Sequence, residues 1–412
     1  MRRLRIALHI ALVATLATAC WSKGEHADSP TWSDAAGAGV WQSDDVSVST
    51  GAPPADPTTL TAYAFEAQGT QHVIYASAHD MHLVELWWNV NGWHLADLTT
   101  SARGVPAAPR SAIFGYAYDS QMTHHVIFVG ADRHLHELWS DATGWHSGDL
   151  TAATNSALPA GRPETVSGYV FSAKGTQNVA FVGVDNHIYQ LTSGRDGWYA
   201  TDLTSATGTP PPASNSTLTA YAFESEETAH VVYTGVDGRL HELWSGTAGW
   251  RSSDLSAVTN TPGPVNAAGA VSAYSAEKSR TQHIVFITAD GRLLELSSGR
   301  DTAWHVTDLS TVARALPAYR VAAYPFDRQG TQHIVYVGAD NRLYEMWWTD
   351  GWHTGNLTAA AGDPPCGPNI MAAYAFEVQQ TQHVVCIEPG DGHIRELWWG
   401  PPPISAHSPS VR

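Results

Sequence analysis

The sequence predicts an all-β protein, a seven-bladed β-propeller of four-stranded blades, on three observations. One phrase returns along the chain: Ala-Tyr-x-Phe, then Thr-Gln-His-Val-x-Tyr, then Asp-Gly-x-x-x-Glu-Leu-Trp, then Gly-Trp and Asp-Leu-Thr. Its tyrosines are Tyr63, Tyr116, Tyr169, Tyr221, Tyr274, Tyr324 and Tyr374, spaced 50–53 residues apart, a period that marks repeat architectures. Each copy holds four short strand-like runs, the content of one propeller blade. The last copy is incomplete, and its missing piece stands at the opposite end of the chain.

The N-terminal segment reads as a targeting signal. Arg2, Arg3 and Arg5 precede an apolar run from Ile6 to Ala19, too short to span a bilayer and matching a signal-peptide core. The run closes on Leu16-Ala17-Thr18-Ala19-Cys20, which is similar to a bacterial lipoprotein cleavage box and implies a lipidated Cys20. Ordinary secretion, with cleavage after Ala17-Thr18-Ala19, is the alternative. Either route places the protein outside the cytoplasm, at the cell surface or secreted. The expected organisation is a signal peptide over residues 1–19, a flexible linker over 20–38, the propeller over 39–400 and a disordered tail over 401–412.

The fourth copy shows the blade most plainly. Its runs are Leu218 to Glu224, His230 to Thr234, Arg239 to Trp244 and Trp250 to Leu255. The middle two join at Asp237-Gly238, a strong hairpin signal. Val231, Val232 and Tyr233 put apolar side chains on both faces of the second run, as expected where sheets stack face to face. No run reaches the length and 3.6-residue period of a helix. The aspartate of Asp-Leu-Thr (Asp97, Asp149, Asp202, Asp254 and Asp308, with Asn356 in the sixth copy) reads as a turn or cap residue.

The seventh copy stops after Glu396-Leu397-Trp398-Trp399 and runs into prolines. Trp41 and Asp45 keep the spacing of Trp93 and Asp97. The N-terminal segment therefore supplies the last blade's fourth strand and closes the ring, which removes exposed edges.

Composition excludes several function classes. A net charge of −17 with only 22 Lys and Arg gives no basic face for nucleic acid. The chain has no Ser-x-Asp-x-Gly-x-Thr-Trp box and no Asp-rich calcium loop. His134-Leu135-His136-Glu137 is the densest group among 21 histidines, but no third ligand recurs beside it. We expect no enzyme activity, no metal and no cofactor. Cys366 and Cys386 leave two readings open, a disulfide or a buried free thiol. The Trp87-Trp88, Trp347-Trp348 and Trp398-Trp399 doublets read as blade-face packing or as a second aromatic surface.

A histidine on the second run recurs with a glutamate on the third, 12 or 13 residues on: His72 with Glu85, His125 with Glu137, His230 with Glu242, His283 with Glu295, His333 with Glu345 and His383 with Glu396. The third copy changes both at once, to Asn178 and Gln190. The pair therefore acts as a unit. Across a hairpin this spacing puts the two side chains on one face. One reading is a cross-strand hydrogen bond that pins each blade. The other is a polar site between blades, facing the indole of the Gly-Trp motif: Trp93, Trp145, Trp198, Trp250, Trp304, Trp352 and, by ring closure, Trp41. Donor, acceptor and aromatic wall together suit a carbohydrate.

Spacing and context resemble the fucose-specific β-propeller lectins of fungal fruit bodies, and similar seven-bladed bacterial propeller lectins. In the fungal family an arginine on strand two and a glutamate twelve residues on bind sugar hydroxyls, while an aromatic residue of the adjacent blade stacks on the ring. Six blades are usual there, and histidine stands here in the arginine's place. The resemblance implies a multivalent lectin with glycan partners and six site sets: His72, Glu85 and Trp145; His125, Glu137 and Trp198; His230, Glu242 and Trp304; His283, Glu295 and Trp352; His333, Glu345 and Trp41; His383, Glu396 and Trp93. A non-enzymatic interaction or scaffold propeller is the alternative function.

Overall fold

The computed structural model describes residues 39–400, apart from 155–157, 159, 160, 196, 266, 300, 301, 365 and 369. The expected signal peptide with Cys20, the linker and the C-terminal tail lie outside the described residues. Among them the chain forms seven four-stranded antiparallel sheets. Six are continuous in sequence, over residues 61–97, 113–149, 161–202, 218–254, 271–308 and 318–356. Blade four contains Leu218–Phe223, Thr228–Thr234, Leu240–Gly246 and Gly249–Asp254, close to the runs expected from sequence.

Blade seven holds Met371–Phe376, Thr381–Ile387 and Ile394–Gly400 and takes Val40–Asp45 as its outer strand. The register pairs Trp41 with Trp399 and Asp44 with Glu396, so the two ends of the chain close the ring within one sheet. Cys366 and Cys386, with Cα atoms 5.7 Å apart, form a disulfide in this closing blade.

Each outer strand runs into a helical turn of four or five residues, such as Leu98–Ala102 or Leu255–Thr259. The recurring aspartate is its N-cap: Asp97 Oδ1 accepts from the Thr100 amide at 2.8 Å, and Asn356 does the same for Ala359 at 2.9 Å. This satisfies amides that a helix start leaves free. The Thr or Ser two residues past the cap ties the turn to its blade. Thr99, Thr151, Thr204, Ser256, Ser310, Thr358 and Ser47 each accept from the first amide of the third strand. Asp-Leu-Thr is thus a local cap-and-clasp motif.

The apolar core is divided into seven clusters, one for each junction between neighbouring blades. Val231, Val232 and Tyr233 are all fully buried, because a strand between two stacked sheets has no solvent face. The first strands of neighbouring blades touch all the way round, which places them about the axis.

Candidate functional site

Every predicted His–Glu pair forms a hydrogen bond within its own blade. The His Nδ1 to Glu Oε1 distances are 2.8 Å for His72–Glu85, His125–Glu137, His230–Glu242 and His383–Glu396, 2.9 Å for His283–Glu295 and 2.7 Å for His333–Glu345. The ring's Nε2 faces the hydroxyl of the threonine two residues earlier, as in Thr70 with His72 at 2.8 Å. On one face the repeat tyrosine stacks on the imidazole; Tyr221 and His230 have centroids 4.9 Å apart and planes 7° apart.

All twelve histidines and glutamates are buried, Glu137 being the most exposed glutamate at 6%. The cross-strand reading accounts for the bond they make. Their burial follows from the stacking of the blades, since the face carrying the pair is covered by the next blade. The remaining carboxylate oxygen, Oε2, accepts no hydrogen bond among the described residues, and it is not among the fully enclosed unpartnered atoms.

Burial and a neighbouring glutamate hold the Tyr63, Tyr116, Tyr221, Tyr324 and Tyr374 hydroxyls well above their usual pKa. They act as donors across the junction. Tyr116, Tyr221, Tyr324 and Tyr374 donate to Gln177, Gln282, Gln382 and Gln71 of the following blade. Tyr63 meets His124 Nδ1 at 3.0 Å instead. Burial, with His72 beside it, pushes the His124 pKa down to about 2, so the ring is neutral, and its tautomer with Nδ1 unprotonated accepts as the glutamines do.

The tryptophans lie where the site sets put them, at the same junction as their partner pair. Trp145 packs into the cluster between blades one and two, and Trp198 into that between blades two and three. Trp93, Trp145, Trp198, Trp250, Trp304 and Trp352 are partly exposed, whereas Trp41 is buried at 6%. His333, Glu345 and Trp41 therefore lack an exposed aromatic face. At the first junction His124 lies between pair and indole, 4.6 Å from each of His72 and Trp145 by ring centroid.

Donor atoms of His72, Glu85 and His124 lie within 4.8 Å of one another, as do those of Asp45, Glu388 and His393, and of Asp132, His134 and Asp149. In each group the histidine is already engaged with a carboxylate or tyrosine: His134 with Asp149 at 2.7 Å, His393 with Asp45 at 3.0 Å and His124 with Tyr63. The dense group seen in sequence diverges, because His136 turns to Asp132 at 3.0 Å and Glu137 to His125. The tryptophan doublets contribute to packing within blades, with Trp87 stacked on His94 at 4.1 Å and Trp347 on His353 at 5.3 Å.

A second recurring element escaped the sequence reading. The acid three residues after the repeat tyrosine accepts backbone amides of the preceding blade. Glu66 takes those of Glu377 and Val378, Glu377 those of Asp327 and Arg328, and Glu277 those of Glu224 and Ser225. Glu224 binds Ser172 and Ala173, while Asp119 binds Ala67 and Asp327 binds Lys278. Burial raises the Glu66, Glu377 and Asp327 pKa values. Blade three, with Ser172 at this position, is the gap in the ring.

No protein-family model and no curated protein matches this sequence. Solved structures do. The BP39L lectin from Burkholderia pseudomallei is 18% identical, with a TM-score of 0.57 over 84% of this chain and 98% of that one. A triple arginine-to-alanine mutant of AofleA from Arthrobotrys oligospora is 15% identical, with a TM-score of 0.50 over 77% of this chain and 90% of that one. The lectin of Aleuria aurantia, described as a six-bladed propeller with a novel mode of fucose recognition, is 17% identical over 70% of this chain and 90% of that one, with a TM-score of 0.47. BP39L is named a lectin, and at 18% and 15% identity what this chain shares with BP39L and AofleA is the fold.

Proposed function

We propose that the protein is a multivalent carbohydrate-binding lectin, exported to the cell surface, with binding sites at the blade junctions. The observation that carries this reading is repeated: a partly exposed indole sits at the same junction as a carboxylate with one oxygen unengaged. An indole face suits the C–H face of a pyranose, and a carboxylate oxygen suits its hydroxyls. The tryptophans (Trp93, Trp145, Trp198, Trp304 and Trp352) would carry the stacking. The buried histidines would hold the glutamates in register behind them. The likeness to BP39L, itself a lectin, supports the reading. Fucose or a related sugar is the class we propose.

Several weak sites on one rigid ring give avidity for surfaces that display many copies of a glycan. Export and a lipid anchor on Cys20 are proposed from the basic start, the apolar run and the cleavage box. Palmitate labelling that disappears with Cys20→Ala supports the anchor; unlabelled wild-type protein contradicts it.

The function is tested on a glycan array with the mature protein. Binding to fucosylated or related glycans is expected, and Trp145→Ala should weaken its own site about tenfold with the melting temperature nearly unchanged. A blank array with folded protein overturns the lectin reading and favours a scaffold propeller.

A further inference from the structure

At one end of the ring the starts of all seven first strands surround a cavity of about 430 Å³. Its walls are largely apolar, from Leu60, Ile113, Val166, Leu218 and Ile370. Three charged residues line it: Arg110, Glu164 and Arg320. We propose that this cavity is a binding site for a small monocarboxylate, with the carboxylate on Arg320 and the carbon body against the apolar wall. It is separate from the junction sites and does not depend on them.

Arg320 is singular within the repeat. Four residues before the repeat tyrosine the other blades carry Thr59, Ala112, Thr165, Thr217, Ala270 and Ile370. The neighbouring blade makes room for it. Gly269, at φ +76°, stands where a Cβ would come within 2.5 Å of Arg320 Nη1 and 3.0 Å of its Cζ. At that position the other described blades carry Thr58, Ser111, Glu164, Ser216 and Tyr319. The arginine and the glycine that accommodates it therefore occur together.

The guanidinium is desolvated and has no counterion among the described residues. Arg320 is only partly exposed, and burial alone lowers its pKa. It makes no ion pair or hydrogen bond with any described residue, whereas Arg239, Arg292, Arg342, Arg280 and Arg395 each bridge an aspartate or glutamate. Arg110 in the same cavity and Arg133, which also make no ion pair with a described residue, are exposed to solvent, whereas Arg320 is partly buried. A charge withdrawn from water without a partner costs stability, and a carboxylate bound by its planar fork would remove that cost.

The lining charge selects the class. Arg110 and Arg320 against Glu164 leave one net positive charge, which a monoanion balances and a phosphate dianion exceeds. The volume lies within the range of small-molecule pockets, and the apolar wall suits a hydrocarbon or pyranose face.

The test is calorimetric titration of the mature protein with hexanoate and glucuronate, with glucose and inorganic phosphate as controls. Saturable binding of at least one monocarboxylate at one site per chain is expected, with glucose silent and phosphate at least tenfold weaker. Arg320→Gln should abolish that binding and should melt no lower than wild type without ligand, since it removes an unpaired charge. Gly269→Ala should weaken binding by displacing the guanidinium. Binding of neither acid, equal binding by Arg320→Gln, phosphate as tight as carboxylate, or a fall in the Arg320→Gln melting temperature would overturn the proposal.

Discussion

Blade three and the other six solve the same packing problem with different chemistry. Six blades place an imidazole and a carboxylate in the junction; blade three places two amides there. Gln190 Nε2 donates to Asn178 Oδ1 at 3.2 Å, and Thr192 donates to the same oxygen at 2.9 Å. The tyrosine responds as well. Tyr169 donates to Gln190 of its own blade at 3.1 Å, because blade four has Ala229 where the other blades carry glutamine or, in blade two, His124. A buried polar network is retained only if its members are satisfied together, so the two versions are exchanged as sets. Blade three also carries Ser172 in the carboxylate ring, so the same blade departs twice.

The largest effect should come from breaking one set. Glu137→Ala leaves His125 buried without its acceptor and should destabilise the fold by about 3 kcal/mol, read by denaturant unfolding. Installing the blade-three pair, His125→Asn with Glu137→Gln, should recover at least half of that loss. A double variant as unstable as the single one would mean that the pair is no interchangeable unit.

A smaller effect is expected at the junction of blades three and four. Ala229→Gln restores the missing cross-junction acceptor for Tyr169 and should raise stability by about 0.5–1 kcal/mol. Destabilisation would show that the junction has no room for the glutamine.

The smallest effect concerns the basic residue after each hairpin. It pairs with the aspartate cap through histidine in blades two and three and in the closing blade, as His134–Asp149, His187–Asp202 and His393–Asp45, and through arginine in blade four, as Arg239–Asp254. Their aspartate partners raise the His134, His187 and His393 pKa values, and the partners' own values are lowered. Each histidine contribution is complete below its unfolded pKa near 6.5 and is lost as pH rises through the higher folded value. Each aspartate contribution is present above 3.8 and is lost as pH falls through the lower folded value. These pairs are partly exposed, so each supplies a fraction of a kcal/mol. His134→Arg should flatten part of the decline in melting temperature above neutral pH; an unchanged profile would remove that pair from the account.

Most of the scaffold was legible from the sequence because seven copies act as internal controls. The ring closure rested on the spacing of Trp41 and Asp45, and the Trp41–Trp399 register agrees with it. The His–Glu pair was legible only as two readings, because alternation tells which residues share a face and not whether a polar side chain there is satisfied by the facing strand or by a ligand. The carboxylate ring left a readable signal that was passed over: an acid three residues after the tyrosine in six copies, with Ser172 in the third. Arg320 could not be found by recurrence, since its significance lies in occurring once and losing its solvent without gaining a partner among the described residues.

The central claim is that sugars bind at repeated blade junctions, and the stoichiometry of binding tests it most directly. Calorimetric titration of the mature protein with a glycan that it binds on an array should give close to five sites per chain, since Trp41 is buried and blade three lacks the His–Glu pair. Each exposed-tryptophan variant among the remaining sets should lower that number by one. A single site, or a stoichiometry unmoved by Trp93→Ala and Trp145→Ala in folded protein, would contradict it.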